Sequence, residues 1–357
     1  MKGLFRYLSP FSPDQSGAAS VLYELGGIIV IMDAGGCAGN ICGFDEPRWF
    51  RVKSAVYSAG LRDMDAILGR DDKLIEKTGK VVDTVDASFI ALISTPVPAV
   101  VGTDLKALTR ICEKRFGLPA LYVDTTGIPY YDDGQRKAYM ALLRSAVLPA
   151  AQADGAPTVG IWGATPLDMP ADDSAFLLRQ RLLSRGETSV SFGMESSLDD
   201  FKYVSSVKKN IVVSPSGLEP ARHIEKEYGI PYECGFLFED GYGIPKDFEG
   251  TDGNVLIIHQ QVYANEIRKA ISEKVKGRID TASFFRMDEC IANENDIQFE
   301  SEHDFIKKAL SGNYSVIMGD PTFTRALSDF KGTFIPLPHY AVSGEMHQQP
   351  HEKELFA

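Results

Sequence analysis

Two cysteines lie five positions apart in a glycine-rich segment, and their spacing could support metal chemistry. Cys37 and Cys42 belong to the run DAGGCAGNICG at residues 33–43. The apolar run IIVI at residues 28–31 precedes it, which predicts a buried strand that ends in this loop. A C-x4-C spacing lets two sulfur atoms bind one metal ion or iron–sulfur cluster. The alternative is that both are small core residues beside a turn, because free cysteine is among the most buried residue types.

Other candidate residues stand singly in the sequence, and each has a plain structural alternative. Cys234 follows a helix stop, where it is a candidate catalytic residue or metal ligand, or equally a structural cysteine. His259 ends a predicted buried strand, and an imidazole there could bind a metal or transfer protons. A hydrogen-bonded core histidine is the commoner outcome at such a position. Cys112, within a predicted helix, and Cys290, in a polar stretch, are interpreted as structural.

Short β-branched runs alternate with helical stretches along the chain, which is typical of parallel α/β domains. A polar break at residues 154–157 and a glycine-rich stretch at residues 240–253 divide this pattern into three units. The sequence therefore predicts an α/β protein with three Rossmann-like parallel domains around a central cleft. The predicted domains are residues 1–154, which include the cysteine loop, 155–250 and 251–345, followed by a solvated tail at 346–357.

The ends of the predicted strands indicate where a ligand would bind. Strands are predicted at 28–32, 89–94, 120–123, 158–162, 211–213, 255–258, 314–318 and 334–336, and helices at 105–116, 135–150, 174–184, 222–228 and 264–273. Ligands of parallel sheets bind beyond the carboxyl ends of the strands. Besides the cysteine loop, the residues that follow strand ends and could face the cleft are Thr95, Gly163, Ser214, His259 and Asp320.

Composition excludes several classes of protein. The chain has 357 residues, of which 44% are hydrophobic and 24% charged, as in ordinary globular proteins. Its net charge of -12 argues against nucleic acid as a partner. No apolar run reaches the roughly 20 residues of a membrane span, and Pro10 and Pro13 argue against a signal peptide. Five cysteines without a paired pattern fit a reducing compartment, so we expect a cytoplasmic protein.

Several sequence motifs of known chemistry are missing. Neither a dinucleotide fingerprint nor a P-loop motif occurs, so we expect no nucleotide to bind to this chain. The motifs G-x-S-x-G, H-E-x-x-H and C-x-x-C are also absent, which argues against classical hydrolases, zinc proteases and zinc ribbons.

Five segments of the sequence together carry a resemblance to a known family. They are residues 33–37, the stretches at residues 67–75, 94–104 and 227–232, and the strand and turn at residues 316–321. In this order they resemble segments of nitrogenase component 1 proteins, in which residues 33–37 match the cluster-binding loop. This family includes the molybdenum–iron protein subunits and the subunits of dark-operative protochlorophyllide reductase. The similarity covers nearly the whole chain, and the ordered combination is fairly specific.

The chain departs from true nitrogenase subunits, which each contribute three thiols to a cluster at their interface. The first such position falls near residues 11–14 and the third at Pro96, and neither carries cysteine. Cys37 matches a family ligand directly, and Cys42 is an additional thiol. The cysteine that holds the molybdenum cofactor would fall at about Ser214, and the chain is short for a catalytic subunit. We therefore expect a nitrogenase-like protein that does not reduce dinitrogen on the usual molybdenum cofactor.

The resemblance implies an iron–sulfur cluster between two chains. In a homodimer, a twofold axis would bring together Cys37 and Cys42 of both chains, which supplies the four thiolates of a [4Fe–4S] cluster. Gly36 and Gly39 belong to the same cofactor-binding loop. Asp14 is an alternative ligand, because a carboxylate replaces a thiolate in some relatives that reduce tetrapyrroles. A heterodimer, in which a related subunit supplies the missing cysteines, is a further possibility.

The function implied is that of an oxidoreductase that accepts low-potential electrons from a separate, ATP-dependent iron protein. A cleft among the domains, near Cys234 and His259, would hold the substrate or a second cluster. One alternative is a non-catalytic scaffold or carrier for metallocluster assembly. Another is a cluster-free binding protein in which Cys37 and Cys42 are merely buried.

Overall fold

The computed structural model of the chain describes residues 5–62, 65, 69–145, 148–149, 151, 154–169, 173–235 and 248–344. Within this part of the chain, the strands form three sheets, and every pair of neighbouring strands is parallel. This arrangement confirms the predicted α/β class. Residues 67–68, most of the predicted glycine-rich linker and the predicted tail lie outside the described residues.

The first sheet carries the cysteine loop. Its strands, in the order β2-β1-β3-β4, are β1 (Ile28–Ile31), β2 (Ala55–Ser58), β3 (Ile90–Ile93) and β4 (Ala120–Val123). β1 and β3 are buried at every position, which is why their sequences are continuous apolar runs. Because the chain goes from β1 to β2 and then crosses to β3, a topological switch point lies between β1 and β3. The described helices of this unit are α1 (Asp14–Leu22), α2 (Gly36–Asn40), α3 (Asp71–Val82), α4 (Pro96–Val101), α5 (Leu105–Phe116) and α6 (Tyr131–Arg144).

The second and third sheets follow the same plan. The second has the order β6-β5-β7-β8, with β5 (Val159–Trp162), β6 (Ser189–Phe192), β7 (Lys209–Val212) and β8 (Tyr232–Cys234), and with α7 (Ser174–Ser184) and α8 (Leu218–Tyr228). The third has the order β11-β10-β9-β12-β13, with β9 (Asn254–Ile258), β10 (Ile279–Ser283), β11 (Ile297–Gln298), β12 (Tyr314–Gly319) and β13 (Thr333–Pro336). Its helices are α9 (Gln261–Ile271), α10 (Glu302–Ser311) and α11 (Tyr340–Ser343). None of the helices described here is both long enough and apolar enough to span a bilayer.

Strands of each sheet fall within one predicted domain range, although the domain boundaries themselves stay predictions. Five of the described strands were not predicted from apolar runs in the sequence: β2, β6, β8, β10 and β11. The structure also adds the helices α1, α2, α3, α4, α10 and α11. Helix α6 begins at Tyr131 and ends at Arg144, earlier at both ends than predicted.

Helices α1 and α6 pack backbone against backbone. A Cβ atom on Gly17 would lie 1.8 Å from the carbonyl oxygen of Tyr131, and one on Gly134 would lie 1.7 Å from that of Asp14. These positions therefore accept only glycine in this packing. The contact holds the N-terminal segment in place beside the cysteine loop.

Candidate functional site

The cysteine loop leaves β1 at the switch point of the first sheet. Gly35 has a φ of 121°, a backbone conformation that favours glycine, and α2 begins at the next residue. Cys37 lies in α2, and Cys42 lies in a π-helix at Ile41–Asp45 that continues it. Turns of π-helix are rare and often occur at functional sites. Both thiols are half-buried and pack against the same apolar core.

Asp33 fixes the start of the loop with both carboxylate oxygens. Oδ2 accepts a hydrogen bond of 2.8 Å from the backbone N–H of Ala38, and Oδ1 accepts one of 2.6 Å from the hydroxyl of Ser58. The carboxylate thereby joins α2 to the end of β2.

The surroundings of the thiols favour their protonated form. Burial raises the pKa of Cys37, the charge of Asp33 raises it further, and a hydrogen bond with Thr95 opposes the rise. Burial also raises the pKa of Cys42, with added contributions from Glu46 and Asp33. Metal ligands must be thiolates, so metal binding here would release protons.

Two segments that the family resemblance matches to lost thiol positions lie beside this loop. The hydroxyl of Ser12 donates a hydrogen bond of 2.9 Å to Asp45, in the π-helix. Thr95, which hydrogen-bonds to Cys37, directly precedes Pro96. The structure therefore places the segments of both lost thiol positions next to the loop that carries Cys37 and Cys42.

A buried arginine anchors the far side of the loop. The Arg48 guanidinium donates to both oxygens of Glu46 at 2.7 Å, to Glu24 at 2.8 Å and to the backbone carbonyl of Ser20 at 2.6 Å. Loss of one partner from a buried ion pair typically destabilises a protein by about 3–5 kcal/mol. The network therefore ties the loop firmly to α1.

Several large apolar side chains on the loop and on neighbouring segments are exposed, and we call them the apolar rim. Phe44 of the π-helix is 72% exposed, and Val100 of α4, which begins directly after Thr95, is 86% exposed. Exposed apolar side chains mark an interaction surface where they form one contiguous patch. The rim consists of Phe44, Phe50, Val97, Val100, Val101 and Ile128.

Gly36 and Gly39 leave the backbone of α2 open. A Cβ atom at either position would meet no other atom within 4 Å. The packing of the chain itself therefore does not require glycine here, and another group can approach the backbone closely.

The remaining predicted ligands lie elsewhere or are already bonded. Both oxygens of Asp14 accept backbone hydrogen bonds of 2.8 Å, from Thr126 and Gly127, and the side chain is fully buried. Cys234 ends β8, and burial raises its pKa to about 11. Within the described ranges, no three His, Cys, Asp or Glu side chains form a group that could hold a metal ion. In the described part of one chain, Cys37 and Cys42 therefore have no third potential metal ligand grouped with them.

His259 does not lie near the cysteine loop. It lies at a buried junction, where residues of the three sheet units meet. Its ring stacks on that of His339, with ring centroids 4.1 Å apart, and its Nδ1 accepts a hydrogen bond from the backbone N–H of Gln260. Burial lowers the pKa of His259 to about 3, so the ring is neutral. The structure places Cys234 beside the ion pair of Arg222 and Asp288 instead.

The junction also contains residues that the sequence patterns do not single out. Tyr131, at the start of α6, donates a hydrogen bond of 2.7 Å to Asp168, and its hydroxyl lies 3.0 Å from Nε2 of His339. Ser214 and Gly163, which the sequence did indicate as strand-end residues, also lie here, and the Ser214 hydroxyl donates to the Gly163 carbonyl at 3.0 Å. These buried side chains lie where parts of the three units meet. The sequence could have indicated His339 and Asp168 as candidate residues, because each follows the end of a predicted strand within a few residues.

Comparison with known proteins identifies the family. Residues 15–274 match the family described as nitrogenase component 1 type oxidoreductase. The chain belongs to this family. The match covers most of the chain and includes the cysteine loop and the first two sheets.

Two curated relatives are nitrogenase iron-molybdenum cofactor biosynthesis proteins NifE. The one from Clostridium pasteurianum is 25% identical over 280 residues, which covers 77% of this chain and 54% of the relative. The one from Nostoc sp. is 25% identical over 226 residues, which covers 58% of this chain and 43% of the relative. The chain thus spans about half the length of the curated relatives it matches.

Solved structures share the fold. Nitrogenase Cp1 at pH 6.5 has a TM-score of 0.69 and 10% identity, and the alignment covers 95% of this chain and 87% of that one. Nitrogenase Cp1 at pH 5 has a TM-score of 0.71 and 12% identity, with coverage of 95% and 85%. These likenesses confirm the predicted family architecture of three α/β units.

Proposed function

We propose that this chain is a subunit of a nitrogenase-like iron–sulfur oxidoreductase whose cluster lies between two chains and is bound by Cys37 and Cys42. The observation that carries this proposal is the pair of half-buried thiols on one loop at the switch point, bordered by the apolar rim. Ligands of open α/β sheets bind at such points.

The number of thiols argues for a second chain. A [4Fe–4S] cluster binds four thiolates, and the loop supplies two. A second copy related by a twofold axis would supply the same two residues from the same surface. The exposed Phe44 and Val100 would then become buried, which removes the cost of leaving them in water. A related subunit that contributes its own cysteines is the heterodimeric alternative.

The residues of the loop suit such a cluster. Gly36 and Gly39 leave room for a group beyond the chain to approach the backbone of α2. Asp33 holds α2 in position, and burial of both thiols would limit the contact of bound sulfur with water. Burial and hydrogen bonds to the sulfurs are what tune the potential of such a site.

When bound, the cluster supplies one-electron transfer. The electrons would come from a separate ATP-dependent iron protein, which agrees with the absence of a P-loop from this sequence. Cys37 and Cys42 would hold the cluster as thiolates after losing their protons. We place this activity in the cytoplasm, where thiols stay reduced.

A second candidate function is a scaffold or carrier on which a metallocluster is assembled. Both curated relatives bear the name of a cofactor biosynthesis protein, at 25% identity. Ser214, at the position where a cofactor-binding cysteine is expected, is buried and bonded to Gly163, which also favours this alternative.

One pair of measurements separates the two functions. An oxidoreductase would turn over a reducible substrate when supplied with an iron protein and ATP. A scaffold would transfer its cluster to an acceptor protein and show no turnover. Both measurements begin from the anaerobically purified protein with defined iron and sulfide content.

The ligands themselves are tested by single substitutions. Cys37→Ser and Cys42→Ser should each lower the iron content and change the EPR spectrum, while Cys290→Ser, an exposed cysteine in the third unit, should not. Wild-type iron content in both loop variants would overturn the proposed ligand set.

A further inference from the structure

Tyr131, Asp168 and His339 form a hydrogen-bonded chain in which each of the three units contributes one residue. Tyr131 begins α6 of the first unit, Asp168 follows β5 of the second, and His339 follows β13 of the third. All three side chains are almost completely buried. The Tyr131 hydroxyl therefore links Asp168 to the His339 ring, which also contacts the backbone of Leu167.

The Asp168 carboxyl group is incompletely satisfied by the described residues. Oδ1 accepts from Tyr131, but Oδ2 is buried and has no hydrogen-bond partner among them. Gln135 and Ser214 lie beside the group, and Oε1 of Gln135 also lacks a donor. Both Oδ2 of Asp168 and Oε1 of Gln135 are thus buried acceptors without a donor in the described part of the chain. A proton on Asp168 would turn one of these acceptors into a donor and reduce the cost of burying them.

We propose that protonated Asp168, through its contacts with Tyr131 and His339, holds the three units together at this junction, and that loss of its proton weakens this contact. We call the contact of these three residues the latch. The latch is independent of the cysteine loop. It makes the packing of the junction, where the family fold brings three sheets together, sensitive to pH.

The charged and titratable groups around Asp168 favour the proton. Burial raises the pKa of Asp168 to about 7, and the nearby charge of Asp132 adds to the rise. Hydrogen bonding by Tyr131, Gln135 and Ser214 opposes it. Asp132 in turn accepts a backbone hydrogen bond from Arg286. The other titratable groups that face the junction are Tyr139 of α6 and the neutral rings of His339 and His259.

The sign of the pH effect follows from the raised pKa. Between the ordinary aspartate pKa of 3.8 and about 7, the folded chain keeps a proton that the unfolded chain has lost. The stabilisation by Asp168 is therefore complete at low pH and is lost as pH rises towards 7. If opening of the junction exposes the group, the opening equilibrium should rise about tenfold per pH unit in this window.

The experiment compares the full-length wild type with Asp168→Asn and Tyr131→Phe. Hydrogen exchange of the Asp168 and Met169 amides, which bond to the Thr165 carbonyl, reports opening after correction for intrinsic rates. Carbon-13 NMR of labelled aspartate reports the ionisation directly. The wild type should show one aspartate that titrates near pH 7 and faster opening above pH 5, and Asp168→Asn should lose both.

Tyr131→Phe provides the second variant, which keeps the carboxyl group. It removes a hydrogen bond that favours the ionised form, so the aspartate titration should move to higher pH. The proposal fails if the wild type has no aspartate that titrates above pH 6, or if amide opening has the same pH dependence in Asp168→Asn. The aspartate titration of the wild type decides the question even if Asp168→Asn does not fold.

Discussion

The hydroxyl of Ser12 donates a hydrogen bond of 2.9 Å to the carboxylate of Asp45. Ser16 donates a second bond of 2.6 Å to the other oxygen, so the segment that starts α1 is joined to the π-helix that carries Cys42. The family resemblance predicts a cluster thiol near residues 11–14. In this chain that segment has no cysteine, and its Ser12 hydroxyl supports the loop that carries Cys42.

Removal of the Asp33 charge should make both loop thiols more reactive. The Asp33→Asn side chain keeps an oxygen that can accept from the Ala38 N–H, and its amide group can donate to the Ser58 hydroxyl. The substitution removes a charge that raises the pKa of Cys37 and Cys42. A lower pKa means more thiolate at a given pH, so alkylation in the metal-free protein should be several-fold faster at pH 8. Mass spectrometry of the labelled peptides measures the rate, and Cys234 in the same protein is the internal control. Equal rates in wild type and variant would show that Asp33 does not act on the thiols.

A charge in the apolar rim should prevent association without unfolding the chain. Val100→Glu changes a side chain that is 86% exposed, so the stability of a single chain should change by less than about 0.5 kcal/mol. The same charge buried at a chain–chain interface should weaken association by at least tenfold. Analytical ultracentrifugation measures this, and Leu183→Glu, at an exposed leucine of α7, is the matched control. Unchanged association of Val100→Glu would place the interface elsewhere.

Two glycine-to-alanine substitutions should differ strongly in their effect on stability. At Gly134 the added methyl group would lie 1.7 Å from the Asp14 carbonyl oxygen, so Gly134→Ala should force α1 and α6 apart and cost about 3 kcal/mol or more. At Gly39 it would meet nothing within 4 Å, so Gly39→Ala should be neutral or slightly stabilising in α2. Urea unfolding of both variants measures the difference, and a similar loss in each would contradict the described packing.

The buried imidazole of His259 should destabilise the fold in acid. Its folded pKa is lowered to about 3, whereas an unfolded histidine binds a proton below about 6.5. Stability should therefore fall as pH decreases from 6.5, by about 1.4 kcal/mol per pH unit from this group. The free energy of unfolding should depend less on pH in His259→Asn than in the wild type. His303→Asn, at an exposed position of α10, should keep the wild-type pH dependence.

Local signals made part of the fold predictable. The bounds of α5 are as predicted because Asp104 caps its first turn, with Oδ1 accepting from the Ala107 N–H, and Gly117 ends it with a φ of 69°. Strand β10 was not predicted because its buried residues include Asp280 and Thr281, which interrupt the apolar pattern. Their side chains are accommodated by tertiary contacts that sequence periodicity does not contain.

The candidate functional residues also include some that the sequence could predict and some that it could not. Cys37 and Cys42 were predicted together because their spacing is local. Tyr131 and Asp168 are 37 positions apart, and Tyr131 and His339 are 208 apart. Each alone is an ordinary residue near the end of an element, so only the packing of three units reveals the junction.

The iron content and mass of the anaerobically purified or reconstituted protein test the central claim most directly. Iron and sulfide analysis together with native mass spectrometry should find two chains that share one cluster of four iron atoms, as the [4Fe–4S] stoichiometry requires. A Cys37→Ser, Cys42→Ser double variant should contain no iron. A wild-type protein that stays free of iron after reconstitution, or a double variant that keeps its cluster, would contradict the account.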